Sequence, residues 1–394
     1  MYKKRRDRRP VVLVCVIVVV VSMFLQFLVI RAQHKGDSTP HLSKNTPKVT
    51  VGTSTKPYGI ALGGTLDKLN KNQLDSELQN LESIGVRWIR IDIAWPAVQP
   101  SSSAQYNWSS TDRIVSAASS YHLQVLGTLA YTPDWAAAKN CNNSGQKCAP
   151  ASNNDFANFA TSAAKRYKDN GVAAWEVWNE PNNQGFWMPA PDPTAYTALL
   201  KTTYSAIKSV NPAVPILAGS LGSSDGQPTS INPVTFLSGM YASGAHGYFD
   251  ILGFHPYSYP DLPLTEDTWN TWSMMDTLSP SIRSVMVANG DTDTKIWITE
   301  YGAPTNGSGP TETSTDYGLV GSNSHVNDQL QAAMLAQSTQ QYAAIDWLSN
   351  YFWYSYKDLG TSPSDTGDYF GLLNYNGSQK PAYTAYEQAI RNPH

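Results

Sequence analysis

Short apolar runs alternate with longer amphipathic segments along most of this chain. Eight runs are rich in β-branched, aliphatic and aromatic residues, as buried strands are, at 58–62, 86–93, 124–130, 173–178, 215–218, 249–254, 295–299 and 350–354. Segments with helical spacing lie between and after them, at 66–84, 111–121, 155–168, 193–209, 233–243, 268–288, 326–346 and 382–391. This alternation predicts an α/β fold with a parallel sheet. Eight repeats favour a single closed (β/α)8 TIM barrel over an open, doubly wound sheet.

The pattern differs at the amino terminus. Six of the first nine residues are basic, and residues 11–30 are apolar apart from Ser22 and Gln26. Twenty helical residues span roughly 30 Å, the thickness of the apolar layer of a bilayer. The run is also longer than the apolar region of a cleaved signal peptide, about 7–15 residues. We therefore predict a cytoplasmic tail at 1–9 and a transmembrane signal-anchor at 10–31, with the rest of the chain outside the cell. Secretion after cleavage is the alternative.

Residues 32–56 carry almost no large apolar side chains, so they predict a flexible linker. Residues 57–394 contain no second linker and no short repeat, which favours one catalytic domain. Of 28 Lys and Arg and 31 Asp and Glu, 11 basic and 2 acidic residues precede residue 57. The domain therefore has 17 basic and 29 acidic residues, a net charge of −12. Such a charge argues against a nucleic-acid partner, and an aromatic domain with few charges suits a neutral polar ligand.

Cys141 and Cys148 enclose a short polar loop. Outside the membrane, two nearby cysteines in such a loop predict a disulfide. They lack the further Cys or His ligands that a zinc site would need. The predicted bond would stiffen a surface loop rather than take part in chemistry.

The string Trp-Glu-Val-Trp-Asn-Glu-Pro-Asn at 175–182 closes the fourth predicted strand. Aromatic rings stack on the apolar faces of sugars, and a carboxyl group can pass a proton to a glycosidic oxygen. Glycosidic cleavage needs a second carboxylate opposite the first. Glu180 ends strand four and Glu300 ends strand seven, at the barrel face where catalytic residues lie. Because these strands are on opposite sides of an eight-stranded ring, the two side chains are predicted to converge.

The ends of strands four and seven, Trp-Asn-Glu-Pro-Asn and Ile-Thr-Glu-Tyr-Gly, resemble the glycoside hydrolases of clan A. The string at 175–182 is most similar to glycoside hydrolase family 39, and the likeness covers the whole predicted domain. It implies a retaining hydrolase in which Glu180 is the general acid/base and Glu300 is the nucleophile. It also implies a carbohydrate substrate. No His, Asp and Cys cluster has metal-ligand spacing, and this chemistry needs no metal or cofactor.

The same resemblance points to substrate-binding residues on other strands, namely Arg90, His255, Tyr257 and Trp353. It makes Trp353 the aromatic floor of the subsite for the cleaved sugar. Arg90 and Tyr257 are expected to stabilise the carboxylate on strand seven, because a cation or a hydrogen-bond donor favours the charged form. His255 is expected to orient either the acid/base or the sugar.

Several other side chains lie at strand ends. Asn179 is expected to bond the 2-hydroxyl of the sugar, an interaction that strengthens toward the transition state. Trp135 either contacts the sugar or packs in the core. Glu176 should point into the barrel and pair with a base, whereas Asp92 and Asp134 are interpreted as loop or salt-bridge residues.

The leading hypothesis is a monomeric retaining hydrolase of extracellular, β-linked oligo- or polysaccharides. A transglycosylase is the rival among enzymes. A carbohydrate-binding barrel without activity is the rival outside enzymes, although the presence of both acids argues against it. The chain stops soon after the eighth helix, without the β-sandwich common in the exo-acting look-alikes, which favours an open cleft and endo cleavage. The sugar and its linkage stay open.

Overall fold

The computed structural model describes residues 56–142, 144–169, 171–223, 226–313 and 325–392. The predicted tail (1–9), signal-anchor (10–31) and linker (32–56, apart from Lys56) lie outside the described residues and stay predictions. Within the described part of the chain, no helix is both long and apolar enough to cross a membrane.

Eight parallel strands close into the predicted barrel. In chain order they are β1 Tyr58–Gly63, β2 Trp88–Ala94, β3 Gln124–Ala130, β4 Val172–Asn179, β5 Ile216–Gly222, β6 Ile251–His255, β7 Lys295–Tyr301 and β8 Leu348–Tyr354. Each strand pairs with its neighbours in sequence, and β8 closes the ring against β1. The strands are nearly continuous apolar runs because such sheets are buried on both faces.

Helices cover the outside of the barrel, at Lys71–Ser83, Ser109–Ser120, Asn153–Tyr167, Pro193–Val210, Pro233–Ala242, Thr271–Met275, Ile282–Ala288, Asp328–Ala344 and Pro381–Arg391. Their starts follow local sequence signals. The Asp192 side chain, for example, accepts hydrogen bonds from the backbone N–H groups of Thr194 and Ala195, which satisfies donors left open at a helix start.

The prediction of one long helix at 268–288 is wrong. Two short helices, Thr271–Met275 and Ile282–Ala288, replace it, with Pro280 between them. A proline inside a helix removes a backbone hydrogen bond and clashes with the preceding turn. The apolar periodicity was therefore real, but the helix could not continue through this residue.

The barrel interior changes from apolar to polar along the strands. Its lower layer is made by Ala61, Trp88, Leu126, Ala174, Leu217, Trp297 and Phe352. Above this layer lies a hydrogen-bonded polar layer made by Arg90, Thr128, Glu176, Ser220 and Thr299. The side chains that point outward pack against the helices in the main core. The polar layer faces the carboxyl ends of the strands, so it forms the base of the barrel mouth.

Candidate active site

An interruption of the side-chain alternation shapes the end of β4. Trp178 has a φ of 74° and Glu180 a φ of 45°, in the left-handed region that residues other than glycine rarely adopt. Glu176 points into the barrel, and Asn179 also faces the interior, where each accepts a hydrogen bond from Arg90. Strained backbone of this kind is concentrated at functional sites. The strain here directs an amide and a carboxyl side chain to the barrel mouth.

A second irregularity lies in the pairing of β7. Its pairing register with β8 shifts between Tyr351 and Trp353. As a result, two consecutive residues of β7 face the interior: Thr299 contacts the Ser220 hydroxyl, and Glu300 contacts Arg90. Regular alternation would place only one of them inside.

The Glu300 carboxyl is held by donors on both oxygens. Arg90 Nη1 contacts Oε1 in an ion pair, and the Tyr257 hydroxyl donates to Oε2 over 2.9 Å. Burial raises the pKa of Glu300, but interactions with His255 and Arg90 and the hydrogen bond from Tyr257 outweigh it, so the pKa lies below its ordinary value. The site therefore holds Glu300 in the ionised form.

Glu180 lies across the mouth from Glu300 and has different neighbours. His255 Nδ1 is 2.8 Å from Glu180 Oε1, and Asn183 Nδ2 donates to Oε2 over 3.0 Å. Its own backbone N–H donates to the Ser220 carbonyl. The side chain also depends on Gly222, where a Cβ atom would lie 2.5 Å from the Glu180 Cδ. Of the two roles expected for His255, the structure thus shows a contact with Glu180.

Arg90 connects the two sides of the site. It is 2% exposed. Its guanidinium donates from Nε to Glu176 Oε2 over 2.7 Å, from Nη2 to Asn179 Oδ1 over 2.7 Å, and from Nη1 to Glu300. Thr128 and Ser220 also donate to Glu176, which is fully buried. The expected pairing of Glu176 with a base is confirmed, and the base is Arg90.

Replacing Arg90 with Met is expected to lower the free energy of unfolding by about 3–5 kcal/mol, the cost of breaking a buried ion pair from one side. The change leaves Glu176 and Glu300 without their shared cation. Urea denaturation of the purified protein would measure it.

A matched control exists on the surface, where Arg166 pairs with Asp112 over 2.6 Å and both side chains are well exposed. Arg166→Met should cost no more than about 1 kcal/mol, as exposed pairs do. Equal losses in the two variants would contradict the assigned importance of the buried pair.

The prediction that Trp353 floors the sugar subsite is wrong. Trp353 is completely buried and packs edge-on against Tyr301 in the main core. On β8 the alternation puts Phe352 in the lower barrel layer, so Tyr354 shares its inward direction and Trp353 points outward. Tyr354 lines the cleft in its place.

Trp135 packs against other residues of the protein. It packs edge-on against Trp95, and its Nε1 donates to the Gln99 carbonyl over 2.7 Å. It is absent from the residues that line the cleft around the two acids. The structure therefore supports the packing alternative for this residue.

A cleft of about 690 Å³ opens over the two acids. Its wall is largely aromatic and includes Phe186, Tyr257, Tyr259, Trp269, Tyr354 and Phe370. Trp269 is 37% exposed, and its loop is fixed by the neighbouring Thr271, whose hydroxyl donates to the Tyr257 carbonyl over 2.8 Å. The cleft can accept a ligand with flat apolar faces and many hydroxyl groups, which describes a sugar.

Cys141 and Cys148 form the predicted disulfide. The loop they close is tied to the barrel by two backbone bonds, from the Thr132 N–H to the Gln146 carbonyl and from the Met188 N–H to the Lys147 carbonyl. It thus lies beside the segment that follows Glu180, and it is closer to the site than a remote surface loop.

Several cleft residues were not predicted from the sequence, namely Asn183, Phe186, Ser223, Tyr259, Trp269, Met274, Tyr354 and Phe370. Most of them belong to loops after the strands, where no periodicity indicates the direction of a side chain. Only Tyr354 could have been predicted from the sequence. Once the limits of β8 are known, the alternation of side chains gives Tyr354 the same inward direction as Phe352.

Residues 51–351 match the sequence profile of the cellulase family, glycosyl hydrolase family 5. No curated protein matches the chain significantly.

Solved structures with the same fold come from two glycoside hydrolase families. A family 39 enzyme from the gut symbiont Bacteroides cellulosilyticus WH2 is 24% identical with a TM-score of 0.63, covering 86% of this chain and 64% of that one. A family 39 β-xylosidase from Caulobacter crescentus is 18% identical with a TM-score of 0.60, covering 86% and 72%. GH5_18 from Streptomyces cattleya, solved with GlcNAc, is 14% identical with a TM-score of 0.61, covering 86% and 81%. At these identities the likeness shows the fold alone, and the chain spans just under two thirds of the length of the first of them.

Proposed function

Because the chain belongs to the cellulase family, glycosyl hydrolase family 5, we propose that it is a retaining glycosidase. The observation that carries the proposal is the position of His255 Nδ1, 2.8 Å from Glu180 Oε1 and 3.7 Å from Glu300 Oε2. These two oxygens can be no further apart than the sum of the two distances. This upper limit lies at the short end of the distances between the two carboxyl groups of inverting enzymes, about 6.5–9.5 Å. It is compatible with the separation of roughly 5–5.5 Å found in retaining enzymes.

In the proposed reaction, Glu300 attacks the anomeric carbon while Glu180 gives its proton to the leaving glycosidic oxygen. The carbon–oxygen bond to the leaving group breaks, and an ester bond between the sugar and Glu300 forms. Water then attacks the same carbon, Glu180 takes its proton, and the ester bond breaks. Arg90 and Tyr257 favour the ionised nucleophile at the start of this cycle. Arg90 also fixes the Asn179 amide by binding its oxygen, which supports Asn179 as the ligand of the 2-hydroxyl.

The proposed substrate is a β-linked oligo- or polysaccharide outside the cell. The aromatic wall of the cleft supports a carbohydrate. The extracellular location rests on the predicted signal-anchor at 10–31 and on the predicted disulfide, since disulfides persist in oxidising compartments. If the predicted signal-anchor were cleaved and the protein secreted, the proposed substrate class would be the same.

The proposal is tested with 2-deoxy-2-fluoro glycosides that carry a good leaving group. The fluorine slows hydrolysis of the ester more than its formation, so a retaining enzyme accumulates a covalent adduct. Peptide mass spectrometry should find the sugar on the peptide that contains Glu300. If glycosides are hydrolysed but no fluoro-sugar labels Glu300, the retaining mechanism is wrong. Sizing the products of a polysaccharide screen would distinguish endo from exo cleavage and transglycosylation from hydrolysis.

Trp269 is expected to bind a further sugar unit of longer substrates, beyond the one whose glycosidic bond is cleaved. Its exposed ring on the cleft wall can stack on a sugar, an interaction worth about 1 kcal/mol or slightly more. Trp269→Ala should lower kcat/KM for oligosaccharides about 5- to 10-fold more than for aryl monosaccharides, with Trp269→Phe in between.

Tyr375 offers a control, because it is 53% exposed and is absent from the residues lining this cleft. Tyr375→Ala should leave the dependence on substrate length unchanged. If Trp269→Ala lost activity equally on short and long substrates, Trp269 would not bind a further sugar unit.

A further inference from the structure

Two oppositely charged side chains at the barrel mouth have neither a hydrogen bond nor an ion pair among the described residues, and neither belongs to the proposed proton-transfer pair. They are Asp92, at the end of β2, and Lys147, in the disulfide-closed loop. Building on the proposed function, we propose that they bind hydroxyl groups of the sugar whose glycosidic bond is cleaved. They thereby select a neutral sugar over a uronic acid.

Asp92 points into the mouth. On β2 it has the same parity as Trp88, in the lower barrel layer, and Arg90, in the polar layer. The interpretation of Asp92 as a loop or salt-bridge residue is wrong, because it lies within β2 and forms no ion pair with another described residue. Next to it, β1 ends at Gly63, and Gly64 follows. A Cβ atom at Gly63 or Gly64 would find the Asp92 Oδ2 at 3.8 or 3.9 Å, so the missing side chains leave space beside the carboxylate.

The Lys147 ammonium is half-buried against aromatic rings. Its Nζ lies 3.0 Å from the centroid of the Tyr131 ring and 5.0 Å from that of Phe186, and Phe186 lines the cleft. The disulfide and the bond from the Met188 N–H hold its backbone. An ammonium that lies against two rings, with no hydrogen-bond acceptor among the described residues and next to the cleft, is suited to bind an oxygen of a ligand.

The two charges are close enough to influence each other. Burial lowers the pKa of Lys147 to about 8, and the carboxylates of Asp92 and Glu180 oppose this effect. Burial raises the pKa of Asp92, while Arg90 and then Lys147 lower it. The side chains therefore interact across a gap wider than an ion pair. A sugar hydroxyl in that gap can donate to the carboxylate and accept from the ammonium.

The charge of the pair determines the kind of sugar. Together Asp92 and Lys147 are neutral, so they offer no net attraction to an anion. The carboxylates of Asp92, Glu176 and Glu300 outnumber the cations Arg90 and Lys147 around the mouth, so the carboxylate of a uronic acid would meet net repulsion. A neutral sugar instead supplies hydroxyl groups that satisfy both residues.

Binding to a Glu300→Gln version of the full protein tests this inference without turnover. Ligand-observed NMR titrations would use p-nitrophenyl β-D-xyloside, β-D-glucoside, β-D-mannoside and β-D-glucuronide. At least one neutral glycoside should bind about 10-fold or more tightly than the glucuronide. Adding Asp92→Asn or Lys147→Met should weaken neutral binding about 10- to 100-fold, the scale for hydrogen bonds to charged groups. Asp92→Asn should also reduce the discrimination against the glucuronide, which a merely structural role would not do.

Lys139, exposed in the same region of the chain, provides the control, and Lys139→Met should bind like the parent. The inference is overturned if no neutral glycoside binds, if the glucuronide binds as well as the glucoside, or if both substitutions leave affinities within twofold. Thermal unfolding of each variant separates lost binding from lost folding. Failure of the wild-type protein to hydrolyse any glycoside would count against the proposed function alone, because these titrations do not depend on hydrolysis.

Discussion

Replacing Glu300 with Ala is expected to lower kcat/KM by more than about 10⁴-fold, the scale on which loss of a covalent nucleophile is measured in other hydrolases. The contacts of Glu300 with Arg90 and Tyr257 keep this carboxylate ionised and fixed. Alanine removes the atom that would form the ester and leaves a small space in its position. Steady-state kinetics with an aryl glycoside, compared with the wild-type protein, would measure the loss.

Azide is expected to restore part of the activity of Glu300→Ala. The anion can enter the vacated space and attack the anomeric carbon from the side that Glu300 occupied. Rescue of Glu300→Ala should therefore yield a glycosyl azide with the opposite anomeric configuration to the substrate. Glu312, a half-buried glutamate of a two-residue strand in the segment after β7, serves as the control, and Glu312→Ala should keep its rate without azide. A Glu300→Ala protein that folds normally and retains activity would exclude Glu300 as the nucleophile.

Replacing Glu180 with Ala is expected to have the second largest effect, and its size should depend on the leaving group. General acid catalysis contributes about 10²- to 10⁴-fold, so glycosides with poor alkyl or sugar leaving groups should lose that much activity. Dinitrophenyl glycosides need little protonation and should form the ester almost normally. Rapid kinetics should show a burst of dinitrophenol, followed by slow turnover, because water attack then lacks its base.

Azide should accelerate the slow step of Glu180→Ala and yield a product with the configuration of the substrate. The opposite configurations of the two azide products distinguish the two carboxylates within one assay. Asn183→Ala is a useful companion, because it removes a donor to Glu180 and leaves the carboxyl in place. Equal losses on alkyl and dinitrophenyl glycosides in Glu180→Ala would remove Glu180 from the acid role.

The sequence predicted the architecture because the barrel depends on a repeated pattern. Each strand is buried on both faces and each helix on one, so the alternation is visible without knowledge of tertiary contacts. The predicted clan A relationship is confirmed, since the matching profile is that of family 5 and the solved structures belong to families 39 and 5. The prediction for 268–288 was wrong in the length of the helix, because a single proline outweighed a regular apolar spacing.

The site was predictable where residues sit in regular strands and less so where strands are irregular. Arg90, at a regular position of β2, lies where the sequence placed it. The error at Trp353 came from transferring the family's strand-eight tryptophan to this position without considering the alternation of side chains, since Tyr354 is the inward neighbour. Lys147 could not be predicted at all, because its position depends on where a loop crosses the barrel.

The arginine at the centre of the site has a further consequence for charge neutrality during turnover. Arg90 is one cation between two carboxylates, Glu176 and Glu300, so this trio carries one excess negative charge when the cleft is empty. In the proposed reaction, a developing positive charge on the sugar ring would cancel that excess, and formation of the ester on Glu300 would leave Arg90 and Glu176 balanced one to one. This trio is thus closest to neutral during the proposed chemical step, while the negative charge passes to Glu180, which gives up its proton. Hydrolysis of the ester would restore the Glu300 carboxylate, and with it the excess negative charge of the trio, while the product is still bound.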